Sequence, residues 1–379
     1  MVKHGIEFIK KAGRIIVLKP QRILPHVKTR FMSVFWKLLC GRAAFPHTIY
    51  IGITKNCNLK CRMCDLGQKS GTSYGRFLSP ESDLPFFVWK KFIDEIAKFG
   101  PAIELCAAEP LLYKDFMSMV KYIKQKKLTC RIFTNGFLLE EYAHLIEKEG
   151  VDYLFVSLDG PGKIHDDIRG CPGLFEKVVN GLKKLKTNGK TNPAIDINYT
   201  VTHHNYASIE PTVNVLMDRG VKFDRFTVML TLFATKATAD RHNRLYPEFP
   251  VEPICENGVD FSVIDINVVK EQIERLRKKY PGKVRLYPEV NTAYIQDWYR
   301  NPNKFVGNNK CRFIWNSANI TSDGGVITNF RCVSRSFGNI NREKFKKIWN
   351  CRDFRKFRLL SAKSGPLPIC ARCSASFSK

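Results

Sequence analysis

The chain has 379 residues, 44% hydrophobic and 12% aromatic, with 13 cysteines and a formal charge of +27. That length and apolar content exclude a disordered chain and suit one large domain plus a small one, and no apolar run approaches the roughly 20 residues that span a bilayer. The charge is the unusual quantity. It admits three anionic partners (a membrane surface, RNA or a phosphorylated substrate) beside the plain reading of a lysine-rich surface.

In chain order the charge comes first. Between Met1 and Arg42 ten Lys or Arg stand against one acid, Glu7. Apolar residues such as Phe8, Ile9, Phe31, Val34 and Trp36 interleave with them, the pattern of two short basic amphipathic helices split near Pro20 and Pro25. Such segments lie on an anionic membrane, pack on their own protein or contact RNA, and RNA is the weakest of the three here. The N-terminus lacks the apolar core and cleavage site of a secretory signal. The expected location is cytoplasmic, peripheral at the inner face of the membrane where the basic segment docks. Cysteines there act as thiols and metal ligands, not as a disulfide framework.

From residue 48 apolar strands alternate with amphipathic helices. Strands are predicted at 48–54, 102–108, 129–135, 152–158, 194–202 and 224–230, and helices at 86–99, 116–127, 139–149, 174–188 and 209–219. Gly100, Gly150, Gly189 and Gly220 fall just past four of the helices, where a left-handed cap is favoured. Repeated strand–helix units predict a parallel sheet with right-handed crossovers. Six strands are too few for the usual eight-stranded closure. Residues 231–265 read as irregular, either substrate-contacting loops or a linker. A helix at 266–279 and a strand near 284–288 follow.

Directly after the first strand lie Cys57, Cys61 and Cys64, spaced CxxxCxxC. Three thiolates on one short loop can hold three irons of a [4Fe–4S] cluster and leave the fourth iron open to a small chelating molecule. A zinc knuckle is the alternative. Zinc, however, commonly takes four protein ligands, and no further Cys or His stands near this loop. The end of a first strand is also where barrel enzymes place their chemistry.

A second group, Cys311, Cys332, Cys351, Cys370 and Cys373, lies near the C-terminus. The segment SANITSDGGVITNF (Ser317 to Phe330) reads as a hairpin with its turn at Asp323-Gly324-Gly325, and a basic helix at about 342–360 leads to Cys370-Ala371-Arg372-Cys373. Four thiols around a module of about 70 residues suggest a metal staple, because so small a module forms only a modest core. Structural zinc is the alternative there too. Cys351, on the helix, reads as a packing residue, as do Cys40, Cys106, Cys130, Cys171 and Cys255. Of these, Cys106 stands directly before Ala107-Ala108-Glu109-Pro110 and Cys171 directly after Arg169-Gly170.

The chain now resembles the radical S-adenosylmethionine enzymes. TIYIGITKNCNLKCRMCDLG is similar to their first strand and cluster loop, ELCAAEPLL (Glu104 to Leu112) to their GGEP segment, FTNG (Phe133 to Gly136) to the end of their third strand, and SLDGPGKIHDDIRG (Ser157 to Gly170) to the segment after their fourth. Two departures stand out. Met63 replaces an aromatic residue before the third cysteine, and Ala107 and Ala108 replace two glycines that let backbone approach a ligand.

The resemblance implies an α/β fold, a partial open (β/α)6 barrel with the cluster at its mouth. It implies a [4Fe–4S] cluster with an open iron that reductively cleaves S-adenosylmethionine to a 5′-deoxyadenosyl radical, and an electron donor such as flavodoxin or ferredoxin. It assigns Ala107, Ala108 and Glu109 to the amino end of the cofactor and Ser157 and Arg169 to its remaining polar contacts, the carboxylate included. Asn198 is a candidate for the ribose. His165 and Asp166 would shape the loop, and Asp159 and Gly160 would form a turn.

The C-terminal cysteines look like the SPASM extension of the same family, with Cys311, Cys332, Cys370 and Cys373 on one auxiliary [4Fe–4S] cluster. The cysteine run of the longer version is missing, since six residues follow Cys373. Expected domains are thus a basic segment at 1–45, a barrel at 46–235, a connecting or substrate region at 236–304 and a cysteine-rich auxiliary-cluster domain at 305–379. The implied reaction is hydrogen abstraction from a substrate carbon, leading to oxidation, cross-linking or epimerisation. The substrate is unknown, with an anionic or membrane-associated molecule mildly favoured by the charge. The alternatives are a ribosomal-peptide maturase, an RNA-modifying radical enzyme, and a non-catalytic iron–sulfur or zinc protein.

Overall fold

A computed structural model describes residues 40–64, 83–185, 193–255, 258–307 and 310–377. The basic N-terminal segment therefore lies outside the described residues except for its last few positions, and Gly189 lies outside them as well.

Seven strands run parallel and in sequence order: β1 (Thr48–Gly52), β2 (Ala102–Cys106), β3 (Cys130–Thr134), β4 (Tyr153–Ser157), β5 (Ala194–Val201), β6 (Arg225–Leu230) and β7 (Val284–Tyr287). Between them run α1 (Phe86–Ala97), α2 (Phe116–Gln125), α3 (Leu139–Lys148), α4 (Lys163–Arg169), α5 (Leu174–Lys184), α6 (Ile209–Asp218), α7 (Lys236–Leu245) and α8 (Ile266–Lys279). Gly100, Gly150 and Gly220 take φ of +64°, +68° and +69° just past α1, α3 and α6, as expected for left-handed caps. Strand alternation sorts the sheet into two faces. Ile49, Ile51, Ile103, Leu105, Ile132, Leu154, Val156, Ile195 and Ile197 are fully buried. The opposite face carries Tyr50, Glu104, Arg131, Ser157, Asp196, Asn198 and Thr227, joined across strands by the register pairs Tyr50–Glu104, Glu104–Arg131, Ser157–Asn198 and Asn198–Thr227. Among the described residues no helix is long and apolar enough to cross a membrane.

The sheet is open, as expected, but larger than six strands. β7 joins it beside β6, and the C-terminal hairpin joins its other side. β8 (Ser317–Ile320) pairs in parallel with β1, and β9 (Val326–Ile327) pairs antiparallel with β8, giving the order β7-β6-β5-β4-β3-β2-β1-β8-β9. The hairpin was expected inside a separate small module. It is recruited because β1 would otherwise be an unpaired edge, with backbone donors and acceptors unsatisfied.

Two further expectations are corrected. The 231–265 stretch is not irregular throughout, since α7 starts at a Thr235 hydroxyl that accepts from Thr238 N. The helix expected at 342–360 is two helices, α11 (Phe345–Trp349) and α12 (Arg352–Ser364), after the short α9 (Ile295–Arg300) and α10 (Phe313–Asn316). Cys351 stands at the break. Its extended backbone and its sulfur, which accepts from Phe354 N, make it the N-cap of α12 instead of a residue within the helix. The C-terminal helices clasp the chain just before β1: Trp349 Nε1 donates to Ala44 O at 2.6 Å, and Asn350 bonds both ways with the Ala43 backbone.

Candidate functional site

The three-cysteine loop leaves β1 through a turn held by Asp83, which accepts from the Thr54 hydroxyl at 2.5 Å and from Lys55 N at 3.0 Å. Cys57 is exposed, Cys61 buried and Cys64 half-buried. Burial pushes the Cys61 thiol up to about 11 against the pull of Arg169, with Cys64 and Cys57 adding to the push. The three sulfurs thus feel one another, and a metal group binding them must release their protons.

The ends of β2, β3 and β4 close around this loop. Ala107 and Ala108 hold left-handed φ of +63° and +44°. The backbone that glycines would supply is kept here at alanines, at a strain of about 1–2 kcal/mol each. Glu109 follows, with no exposed surface. Its carboxylate accepts from Leu111 N at 3.2 Å, the Thr134 hydroxyl at 2.9 Å and Asn135 N at 2.7 Å. Burial pushes its pKa up to about 7 in spite of those bonds. Its own N–H donates to Asn56 O at 3.0 Å, which fastens the end of β2 to the cysteine loop. Asn135 completes the contact, donating from Nδ2 to Asn58 Oδ1 at 2.8 Å and to Cys57 Sγ at 3.9 Å.

Ser157 and Asn198 end up as register partners on the polar face, where Leu158 N donates to Asn198 O. Arg169 is held by a partner that the sequence did not indicate. Its Nε and Nη2 both bond Asp159 Oδ2, at 2.7 and 2.5 Å, so one edge of the guanidinium is held by the protein, and Nη1 points at Cys61 Sγ at 3.8 Å. Burial pulls the Arg169 pKa down, but Asp159 and Cys61 outweigh it and the net shift is upward. Asp159, read from sequence as a turn residue, is instead a fully buried anchor that also accepts from Thr200 N at 2.7 Å. The signal was its spacing of ten residues from Arg169 within one motif. His165 and Asp166 do shape this loop. His165 Nδ1 accepts from Asp159 N, and the Asp166 carboxylate accepts from Gly173 N and Phe175 N at the start of α5.

The second set of cysteines is also brought together. Burial pushes Cys311 and Cys332 up to about 12 each and raises Cys370 as well, and in all three Cys373 is the next cause. Cys351 stays apart at its helix cap. The loop between Cys370 and Cys373 is held by Arg372, which donates to the carbonyls of Asp297, Trp298, Asn301, Lys304 and Ala371. Cys255, read as apolar filler, lies between the two cysteine sets. Its Sγ donates to Met63 O at 3.4 Å and receives Arg331 Nη1 at 3.5 Å.

Among the described residues no three Cys, His, Asp or Glu side chains converge closely enough to enclose a single metal ion. An iron–sulfur cube takes one thiolate at each iron, so its ligands stand apart by the width of the cube. Seven thiols in two groups, the first faced by N–H donors, are chemically suited to two such clusters.

The family model of the Radical SAM superfamily matches residues 51–216, and that of the SPASM iron–sulfur cluster-binding domain matches residues 311–374. The chain is similar to Fe-coproporphyrin III synthase of Methanosarcina barkeri, at 30% identity over 358 residues that cover 89% of this chain and 78% of that protein. It is similar to pre-heme d1 synthase of Dinoroseobacter shibae at 25% identity over 351 residues, covering 85% and 77%. Among solved structures, Streptococcus suis SuiB shares the fold, with a TM-score of 0.62 at 16% identity over 90% of this chain and 75% of that one. The motifs, the open parallel sheet and the two cysteine sets thus agree with these matches, and the chain belongs to the radical S-adenosylmethionine superfamily, whose enzymes use a [4Fe–4S] cluster and S-adenosylmethionine, with a SPASM auxiliary iron–sulfur domain.

Proposed function

We propose that this enzyme holds its catalytic cluster on Cys57, Cys61 and Cys64 and acts on a carbon of a carboxylate-bearing, porphyrin-type substrate. Reduced by a donor such as flavodoxin or ferredoxin, the cluster with S-adenosylmethionine supplies a 5′-deoxyadenosyl radical that abstracts a hydrogen atom. Ala107, Ala108 and Glu109 line the bend at the end of β2 and offer backbone and one buried carboxylate to an amino group, while Ser157 and Asn198 offer polar contacts from β4 and β5. Glu109 spends three of about four acceptor positions on the protein, so one remains for a ligand. Cys311, Cys332, Cys370 and Cys373 would hold the auxiliary cluster, which accepts an electron or anchors the substrate.

The observation that carries this reading is the docking of the three-cysteine loop against the ends of β2, β3 and α4 by Glu109, Asn135 and Arg169. The substrate class is supported by relatives spanning most of the chain, named for porphyrin and heme products, and by the +27 charge, which favours an anionic ligand.

Anaerobic reconstitution tests it. About eight irons per chain are expected, with 5′-deoxyadenosine formed on reduction. Cys57→Ala should abolish that product, and Cys370→Ala should halve the iron while sparing the first cluster. Substrate-dependent product with a porphyrin carboxylate but not with a peptide or RNA supports the substrate class, and the reverse pattern rejects it. A Cys57→Ala variant that still cleaves the cofactor rejects the cluster assignment.

A further inference from the structure

Besides the Leu59 backbone N–H on Cys57, two side-chain N–H groups point at the sulfurs of the three-cysteine loop, and each is held by the protein independently of any ligand. The first is Asn135 Nδ2, 3.9 Å from Cys57 Sγ. Asn135 has little freedom to turn. Its backbone N–H is on Glu109, its Oδ1 accepts from Phe137 N at 2.9 Å, and its Nδ2 also bonds Asn58. The second is Arg169 Nη1, 3.8 Å from Cys61 Sγ in a buried setting.

Arg169 is aimed by its surroundings. The end of α4 docks on the cysteine loop, where Arg62 N donates to Ile168 O at 2.9 Å. Gly170 follows at φ +66°, and a Cβ there would come 2.9 Å from Lys60 O, so only glycine lets the helix end lie this close. Asp159 then takes the other edge of the guanidinium. Asp159 is itself fixed by Thr200 N on its carboxylate, by its own N–H to His165 Nδ1 at 3.0 Å and by Asn205 Nδ2 on its carbonyl at 2.9 Å.

We propose that Asn135 and the Asp159–Arg169 pair are positioning residues that set the reduction potential of the catalytic cluster by donating N–H groups to the sulfurs of Cys57 and Cys61. This rests on the reading of Cys57, Cys61 and Cys64 as its ligands. The physical reason is charge. Adding one electron places extra negative charge on the cluster and its thiolates, and a fixed N–H dipole stabilises that state more than the oxidised one, which raises the potential. Because Asp159 cancels most of the Arg169 charge, the pair supplies a directed donor without leaving an unpaired buried cation. A donor to a charged acceptor that strengthens by roughly 1.4 kcal/mol between the two states changes the reduced-to-oxidised ratio about tenfold.

The test uses the full chain, reconstituted with iron, at a fixed poise. The reduced catalytic cluster is read by electron paramagnetic resonance and told from the auxiliary one by the change in its signal when S-adenosylmethionine is added. Asn135→Ala and the charge-balanced double variant Asp159→Asn with Arg169→Met are each compared with the parent. The expected result is a fall in the reduced-to-oxidised ratio, about tenfold for the double variant, which is a midpoint lower by about 59 mV for one electron. Full iron with an unchanged midpoint in both variants overturns the inference while leaving the cluster assignment standing. Loss of the first cluster's iron in both variants, with the fold intact by circular dichroism, also overturns it, since the residues would then be holding the loop in place and not tuning it. Iron unaffected by Cys57→Ala in the parent background would instead remove the assignment on which the inference rests.

Discussion

Glu104 shows how one residue can carry a pH dependence of its own. It sits in the middle of β2 on the polar face, 4% exposed, with Arg131 Nη1 at 3.4 Å as a distant partner. Burial pushes its pKa up to about 7, and Arg131 does not offset this. For a carboxyl raised in the folded state, the contribution to stability is fully present below the unfolded value near 4.5 and is lost as pH rises through about 7. The shift corresponds to about 3 kcal/mol across that window. Urea midpoints of the metal-free chain and of Glu104→Gln should therefore diverge between pH 5 and pH 8, the variant being flatter with pH. Parallel curves would show that Glu104 is already ionised at pH 5. The alternation of β2 placed this residue opposite Ile103 and Leu105 in the sequence. Nothing in the sequence said that its partner would be a single, poorly placed arginine.

At the scale of elements the auxiliary cysteine loop is the instructive case. Its CxxC was readable from the sequence, but Arg372 within it was not. Five backbone carbonyls, four of them from the end of α9 and the turn after it, accept from one guanidinium. A helix C-terminus carries partial negative charge and unsatisfied carbonyls, and a planar cation with five donors matches it. Lysine supplies only three donors in a different geometry. Arg372→Lys should leave the sheet folded and lower the iron from about eight to about four per chain. Unchanged iron in that variant would mean that the loop is held by its cysteines alone. The break between α11 and α12 teaches the same lesson. A cysteine in a basic, apolar-rich stretch reads as helix interior, whereas in the fold Cys351 caps α12 beside a distant segment, its Sγ 3.6 Å from Phe337 O and the Phe337 and Phe354 rings stacked at 4.5 Å.

For the whole molecule the open question is what the charge of +27 meets. The basic segment 1–45, mostly outside the described residues, remains a proposal for docking on an anionic membrane surface. The full chain should co-sediment with phosphatidylserine vesicles at low salt and release them as salt rises, because surface attraction is screened within about 10 Å at 0.1 M. A chain starting at residue 46 should bind far less. Equal binding by both would locate the membrane-facing charge on the barrel, or dismiss it.

The periodicities of β1 to β6 and their helices, the left-handed glycines and the spacing of both cysteine sets were decided locally, by side-chain alternation and by backbone conformations that few residues adopt. They were therefore legible in the chain itself. Contacts between distant segments were not. The parallel pairing of β8 with β1, the Asp159–Arg169 pair facing Cys61 and the five carbonyls around Arg372 each depend on burial and hydrogen-bond satisfaction that exist only once the chain has closed on itself, and those are the contacts that turn seven thiols into two organised sites.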